Sequence, residues 1–157
     1  MSPAGGSGKP IDEILNMDID KLIKFDVRMP SMDIPVTSVT KEQSTVGRSA
    51  AAVFVITKEM IRRSGATCIP EALRMAPGLD VARINSNTWA ISSRGFNDVV
   101  SDKLLVLIDG RTVYSPVFSG VYWDVQDCVM EDIERIEVIR GPGGTLWGAN
   151  AVNGVIN

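Results

Sequence analysis

Histidine is absent from the 157 residues, so the usual general base and the commonest metal ligand are both missing. No apolar run approaches the roughly 18 to 20 residues of a membrane-spanning helix, and no positively charged start followed by an apolar stretch marks a secretory signal. Positive charge is not in excess: the net charge is -3 and the pI near 5.0, whereas a nucleic-acid partner calls for a basic face. The acidic residues do not make a catalytic pair either. Glu131, Asp132, Glu134 and Glu137 read as cap and surface charges, Ser92 and Ser93 have no base beside them in a motif, and Met17, Met29 and Met32 read as apolar filler. No enzyme class, metal or cofactor is expected. With 45% hydrophobic and 22% charged residues, a chain of this length buries one core and is too short for two substantial domains.

Glycine, by contrast, gathers towards the end of the chain, at Gly141, Gly143, Gly144, Gly148 and Gly154. It follows a segment, Ile133 to Arg140, whose imperfect alternation of apolar and charged residues marks a strand with one face buried. A strand running into glycines is how phosphate loops begin, but GPGGTLWG has no lysine for a P-loop. The GxGxxG spacing fails too, as does the acidic residue expected about 20 positions on.

The string IERIEVIRGPGGTLWGANAVNGVIN resembles the closing signature of the plug domain of TonB-dependent outer-membrane transporters. Three further stretches agree in order: VFVITKEMIRRSGATCIPEALRMAPGLDVAR resembles the opening strand, paired helices and second strand, AISSRGF the central arginine motif, and LLVLIDGRTVY the next hairpin. The resemblance covers about Val53 to Asn157 and implies an α+β fold, a small mixed sheet with short helices packed on it. In the family such a plug leads into a barrel of about 22 strands, for which several hundred further residues are needed, so the expectation is the plug alone.

Residues 1–52 read as a flexible N-terminal segment and 53–157 as the plug. MSPAGGSGKP reads as a disordered leader or an appended remnant. Ile11, Ile14, Leu15, Ile19 and Leu22 share one side at helical spacing, which predicts a short helix over 11–25 of marginal independent stability. Pro30, Pro35, Gly47 and many Ser and Thr leave 27–52 without a period, and it reads as mobile. In the body, VFVIT predicts a strand, Thr57 the cap of a helix KEMIRRS ended by Gly65, and Ile69 to Met75 a second helix stopped by Pro77 and Gly78. DVARI and WAISSR predict strands, LLVLIDGRTVY a hairpin turning at Asp109 and Gly110, and a short helix near Val129 precedes the last strand.

The resemblance also assigns sites. Asp33, Ile34, Pro35, Val36, Thr37, Ser38 and Val39 resemble the TonB box, an extended, exposed strip that a periplasmic coupling protein grips by strand addition. Pro35 limits pairing on one side, and the competing reading is an ordinary linker. Arg94 and Arg140, each ending a strand before a glycine, match the pair that faces glutamates of the barrel wall, a role suited to guanidinium forks. The plainer reading is that both bond carbonyls or local acids such as Glu137. The resemblance turns two loops outward towards ligand, with Asn85, Ser86, Asn87, Tyr114, Ser115, Phe118 and Tyr122 as contacts, and Asn97 in another short loop adds a polar one. Aromatic faces with polar tips suit a metal chelate or corrin; Trp123 reads instead as packing. Cys68 and Cys128 are open between a disulfide and two buried thiols.

The expected function is therefore the plug of an outer-membrane active transporter, with its tail in the periplasm. Its expected partners are its own 22-strand barrel, the TonB C-terminal domain and a small nutrient. The alternative is a free periplasmic ligand-binding or adaptor module without a barrel.

Overall fold

The computed structural model describes residues 32–37, 44–49, 51–95, 97–99, 103–117 and 119–157. The expected helix over 11–25 lies outside them, as do Ser38, Val39 and Phe118.

The centre is a five-stranded sheet in the order β3, β8, β9, β6, β7, formed by Ala52–Thr57, Arg135–Arg140, Gly154–Ile156, Leu104–Ile108 and Arg111–Thr112. β3 and β8 pair antiparallel from Ala52 opposite Arg140 to Thr57 opposite Arg135. β9 lies between β8 and β6, antiparallel to the first and parallel to the second. That central place requires glycine at 154, where a Cβ would stand 2.5 Å from the Ile139 carbonyl oxygen. The hairpin from β6 to β7 turns at Asp109 and Gly110, whose φ angles of 50° and 76° match the primed turn that suits strand twist.

Because side chains alternate along a strand, the sheet has two apolar faces. On the first, Ile56, Leu104, Val106, Ile136, Val138 and Ile156 join one core. Helix α1 (Lys58–Ser64) and helix α2 (Ile69–Leu73) add Ile61, Ile69 and Leu73 to that core, and the hairpin of β4 (Leu79–Arg83) with β5 (Trp89–Ser93) adds Trp89 and Ile91. The expected start of α1 is present: Thr57 Oγ1 accepts from the Met60 amide at 3.3 Å. Gly65 ends the helix in left-handed backbone, the conformation that lets a chain leave a helix sharply. The turn near Val129 is a single 3-10 turn, Met130–Asp132, rather than an α-helix.

On the second face, Val53, Val55, Leu105, Leu107, Ile139 and Val155 form a separate core together with Val36. Val36 is fully buried. It belongs to β1 (Pro35–Val36), which pairs antiparallel with β2 (Ser44–Thr45), while the Val46 amide donates to the Ile34 carbonyl at 3.1 Å. Residues 32–37 and 44–49 are therefore a strap across the sheet. The sequence reading places the start of the folded body near Ala52 and leaves Val36 in an exposed strip. Burying one valine side chain contributes about 1.5–3 kcal/mol, and Val36 covers the second face beside Ala151 and Trp147 among the described residues.

Candidate functional site

β8 carries distinct chemistry at each of its ends. At its C-terminal end Arg140 is half-buried, its Nη1 donating to the Pro77 carbonyl at 3.3 Å while its Nε is buried without an acceptor. Its aliphatic stem lies 3.3 Å from where a Cβ on Gly78 would stand, so the glycine makes room for it. Arg94 follows β5 with φ of 66°, a left-handed backbone uncommon outside glycine. One guanidinium nitrogen of Arg94 lies 3.9 Å from the position of a Cβ on Gly141, the residue after Arg140. Asn153 fixes the approach by donating from Nδ2 to the Ser93 carbonyl at 3.1 Å, and Ser93 Oγ donates to the Gly78 carbonyl at 3.4 Å.

Arg94 thus lies beside Gly141, and Arg140 beside Pro77 and Gly78. Among the described residues the ion pairs are Arg63 with Glu59, Arg83 with Glu71, and Arg135 with Glu134 and Glu137; neither Arg94 nor Arg140 has a carboxylate. Glu137, the local acid considered for them, is engaged elsewhere.

That engagement lies towards the other end of β8. Glu137 is 1% exposed, which corrects its reading as a surface charge. Its carboxylate accepts from the Thr37 amide at 3.0 and 3.3 Å and from Thr37 Oγ1 at 3.4 Å. Arg135 Nε donates to the same carboxylate at 2.8 Å. A buried charge persists only when it is paired and hydrogen-bonded, and both conditions are met here. Of the candidate box residues, Asp33 and Pro35 are exposed, Ile34 and Thr37 half-buried, and Val36 buried. Sequence reasoning missed this clasp, although strict alternation puts Glu137 on the same inward face as Ile139, a place where a charge needs a partner.

The expected ligand residues do not form one cluster. Asn85, Ser86 and Asn87 are exposed at the turn of the β4–β5 hairpin, where Asn85 Oδ1 accepts from the Asn87 and Thr88 amides at 3.1 and 2.8 Å. Arg83 bonds the Asn85 and Ser86 carbonyls, lies 3.8 Å from a Glu71 carboxylate oxygen and stacks 5.1 Å from the Trp89 ring centroid. The loop is thereby pinned to α2. Thr67 donates to Glu71 through its amide and its hydroxyl, both at 2.9 Å. The amide bond and then the hydroxyl bond of Thr67 hold the Glu71 carboxyl below its usual range; burial opposes them, and Arg83 and Arg74 add lesser lowering effects. Asn97 instead bonds the Asp80 carbonyl at 3.4 Å, near the opposite end of the hairpin. At ~3.3 Å per strand residue this is on the order of 15 Å away.

Tyr114 and Ser115 follow β7, with Ser115 paired to Gly120; both are half-buried, as is Tyr122. Trp123 is buried in the first core, the packing role the sequence suggests. Cys68 and Cys128 are free, half-buried thiols, both packed against that core. Cys68 stands at the cap of α2 without a side-chain capping bond, Thr67 and Glu71 having taken the reciprocal role one position earlier. An open groove of about 730 Å³ borders the clasp, its wall including Thr37, Asp109, Arg135 and Glu137.

The architecture is a small mixed sheet with short helices packed on one face and a strap on the other. A family model described as the TonB-dependent Receptor Plug Domain matches residues 45–155, and the chain belongs to that family. It is 32% identical over 127 residues to the vitamin B12 transporter BtuB of Vibrio vulnificus, covering 80% of this chain and 20% of that one. To BtuB of Photobacterium profundum it is 31% identical, covering 81% and 20%. The chain thus spans about a fifth of the length of these curated relatives. Among solved structures it is similar to the ferric yersiniabactin uptake receptor FyuA from Yersinia pestis, with 26% identity, a TM-score of 0.52, and 68% and 16% of the two chains covered. The alcaligin outer-membrane receptor FauA from Bordetella pertussis gives 26% identity, a TM-score of 0.56, and 78% and 20% covered.

Proposed function

We propose that this chain is the plug of an outer-membrane active transporter, seated within a β-barrel with its N-terminal tail towards the periplasm. It occludes the barrel and helps to bind a metal chelate or cobalamin-like nutrient. It passes on the pull of the TonB C-terminal domain, which grips residues 33–39. Relatives named for vitamin B12, ferric yersiniabactin and alcaligin support that cargo class.

The observation that carries the reading is the arginine end. Neither Arg94 nor Arg140 has a carboxylate among the described residues, and Arg140 Nε is buried without an acceptor. Leaving a buried donor unsatisfied costs about 1–3 kcal/mol, and acidic residues of an enclosing wall remove that cost. A free periplasmic module has no such wall and gains nothing from the arrangement. The test is the double variant Arg94→Ala/Arg140→Ala, made in the chain joined to a barrel of this family. The urea concentration that extracts the plug should fall while ligand affinity stays within about twofold, since changes at well-separated sites usually act independently. Equal retention of the variant and the parent overturns the anchor role.

A further inference from the structure

We propose that Glu137 and Arg135 form a latch that holds the 33–37 segment docked, and that opening this latch is what makes the segment available to a strand-adding partner. The proposal rests on the reading of 33–39 as the gripped box, and concerns what regulates that same site.

Strand addition needs an extended segment whose main-chain groups are open to a partner. In the docked state β2 takes up one edge of the segment, and the amide donors at 35 and 37 are missing or engaged. Pro35 and Val36 are paired with Thr45 and Ser44, the Ile34 carbonyl accepts from Val46, and Pro35 has no amide hydrogen to offer. The Thr37 amide, the next donor along, points into the Glu137 carboxylate at 3.0 Å. Among the described contacts, the docked segment therefore offers a strand-adding partner neither a free edge towards β2 nor a free Thr37 amide.

Of the contacts that keep it there, the one to Glu137 is singular in kind. Val36 is held by apolar packing, which is graded and non-directional. The Glu137 contact is charge-assisted, directional and shared by two donors from one residue, Thr37, and by Arg135 from the other side. Hydrogen bonds to charged groups are the strong ones. The geometry is also asymmetric in its exposure. Glu137 is 2% exposed at its side chain and Arg135 26%, so the arginine is the solvent-accessible member through which the latch can be disturbed. Arg135 is drawn to Glu134 as well, at 3.3 Å, which gives it a second seat when it leaves Glu137. Glu137 sits in the middle of β8, paired with Val55 of β3 and exchanging backbone bonds with Asn157 of 2.7 and 2.9 Å. The acceptor is thus fixed to the rigid sheet while the donor is on the detachable strap. Glu137 and Arg135 are positioning residues for the segment, not contacts of its partner.

The test is hydrogen–deuterium exchange on the 157-residue chain. Glu137→Gln keeps the shape but turns an amide group towards Arg135, and Thr37→Pro removes the donor while leaving the Glu137–Arg135 pair in place. Each should speed exchange in the peptide covering 33–36 by about tenfold or more while peptides from β3 and β8 keep the parent rate. Arg135→Gln should do the same to a smaller degree. Unchanged exchange over 33–36 in Thr37→Pro overturns the latch, and so does a rise in β3 and β8 equal to that in the strap, which assigns Glu137 a merely structural role. In parallel, binding of a TonB C-terminal domain is measured with Arg135→Gln, whose box is intact. Faster exchange with tighter binding supports both latch and box. Faster exchange without any gain in binding supports the latch and removes the assignment of 33–39 as the gripped segment.

Discussion

Single residues decide this structure where backbones come close. Gly154 admits β9 between its neighbours because a Cβ there would stand 2.5 Å from the Ile139 carbonyl oxygen, a backbone atom that cannot swing aside. Gly154→Ala should therefore cost about 1–3 kcal/mol through forced backbone shifts, read from urea denaturation; a midpoint equal to the parent's refutes the contact. Arg94 is a different case, a bulky residue in left-handed backbone. Such conformations cost on the order of 1–3 kcal/mol and persist where the surroundings over-determine them. Here Asn153 holds the preceding Ser93 carbonyl, and the Arg94 guanidinium lies against Gly141. Arg94 and Arg140 each carry a local mark in the sequence, a strand end before a glycine, and only the resemblance couples them. Glu137 carries no such mark, because its partner Thr37 is 100 residues away in the chain, and nothing in local spacing announces a contact of that range.

At the scale of elements, what the sequence disclosed and what it concealed divide by length. β8 spans six residues, enough for alternation to show, and α1 is bracketed by a threonine cap and a left-handed glycine. β1 and β2 have two residues each, too few for any period, so the strap read as linker although it closes a core. α2 shows how a short helix is held. Its start depends on Glu71 accepting twice from Thr67, and the same carboxylate faces Arg83, which pins the 85–88 turn. Since the Glu71 pKa is lowered by folding, its contribution is full above the usual glutamate value of 4.5 and fades as pH falls through the lower folded value. Glu71→Gln should then be less stable than the parent at neutral pH, with the gap narrowing once pH drops below that usual value. Thermal melts over a pH series check this, and a gap independent of pH rejects it.

For the molecule as a whole, the two cores are unequal in their covers. The first face is roofed by α1, α2 and the β4–β5 hairpin, all continuous in sequence. The second relies on Val36 and its half-buried neighbours Ile34, Val46, Ala51 and Trp147, so its integrity depends on a segment that a partner is proposed to remove. A chain shortened to begin at Ala51 should lose about 2 kcal/mol or more and bind an apolar dye that the parent excludes; unchanged stability and no dye binding contradict the role of the strap. Sheet order adds a kinetic corollary. β9 joins two hairpin-like halves, β8 with β3 on one side and β6 with β7 on the other, and it is parallel to β6. Until Gly154–Ile156 wedge between them, those halves share no ladder, and the loops to be closed are long. Assembly of the sheet should accordingly be slow for so small a body, with a keystone three residues wide setting its pace.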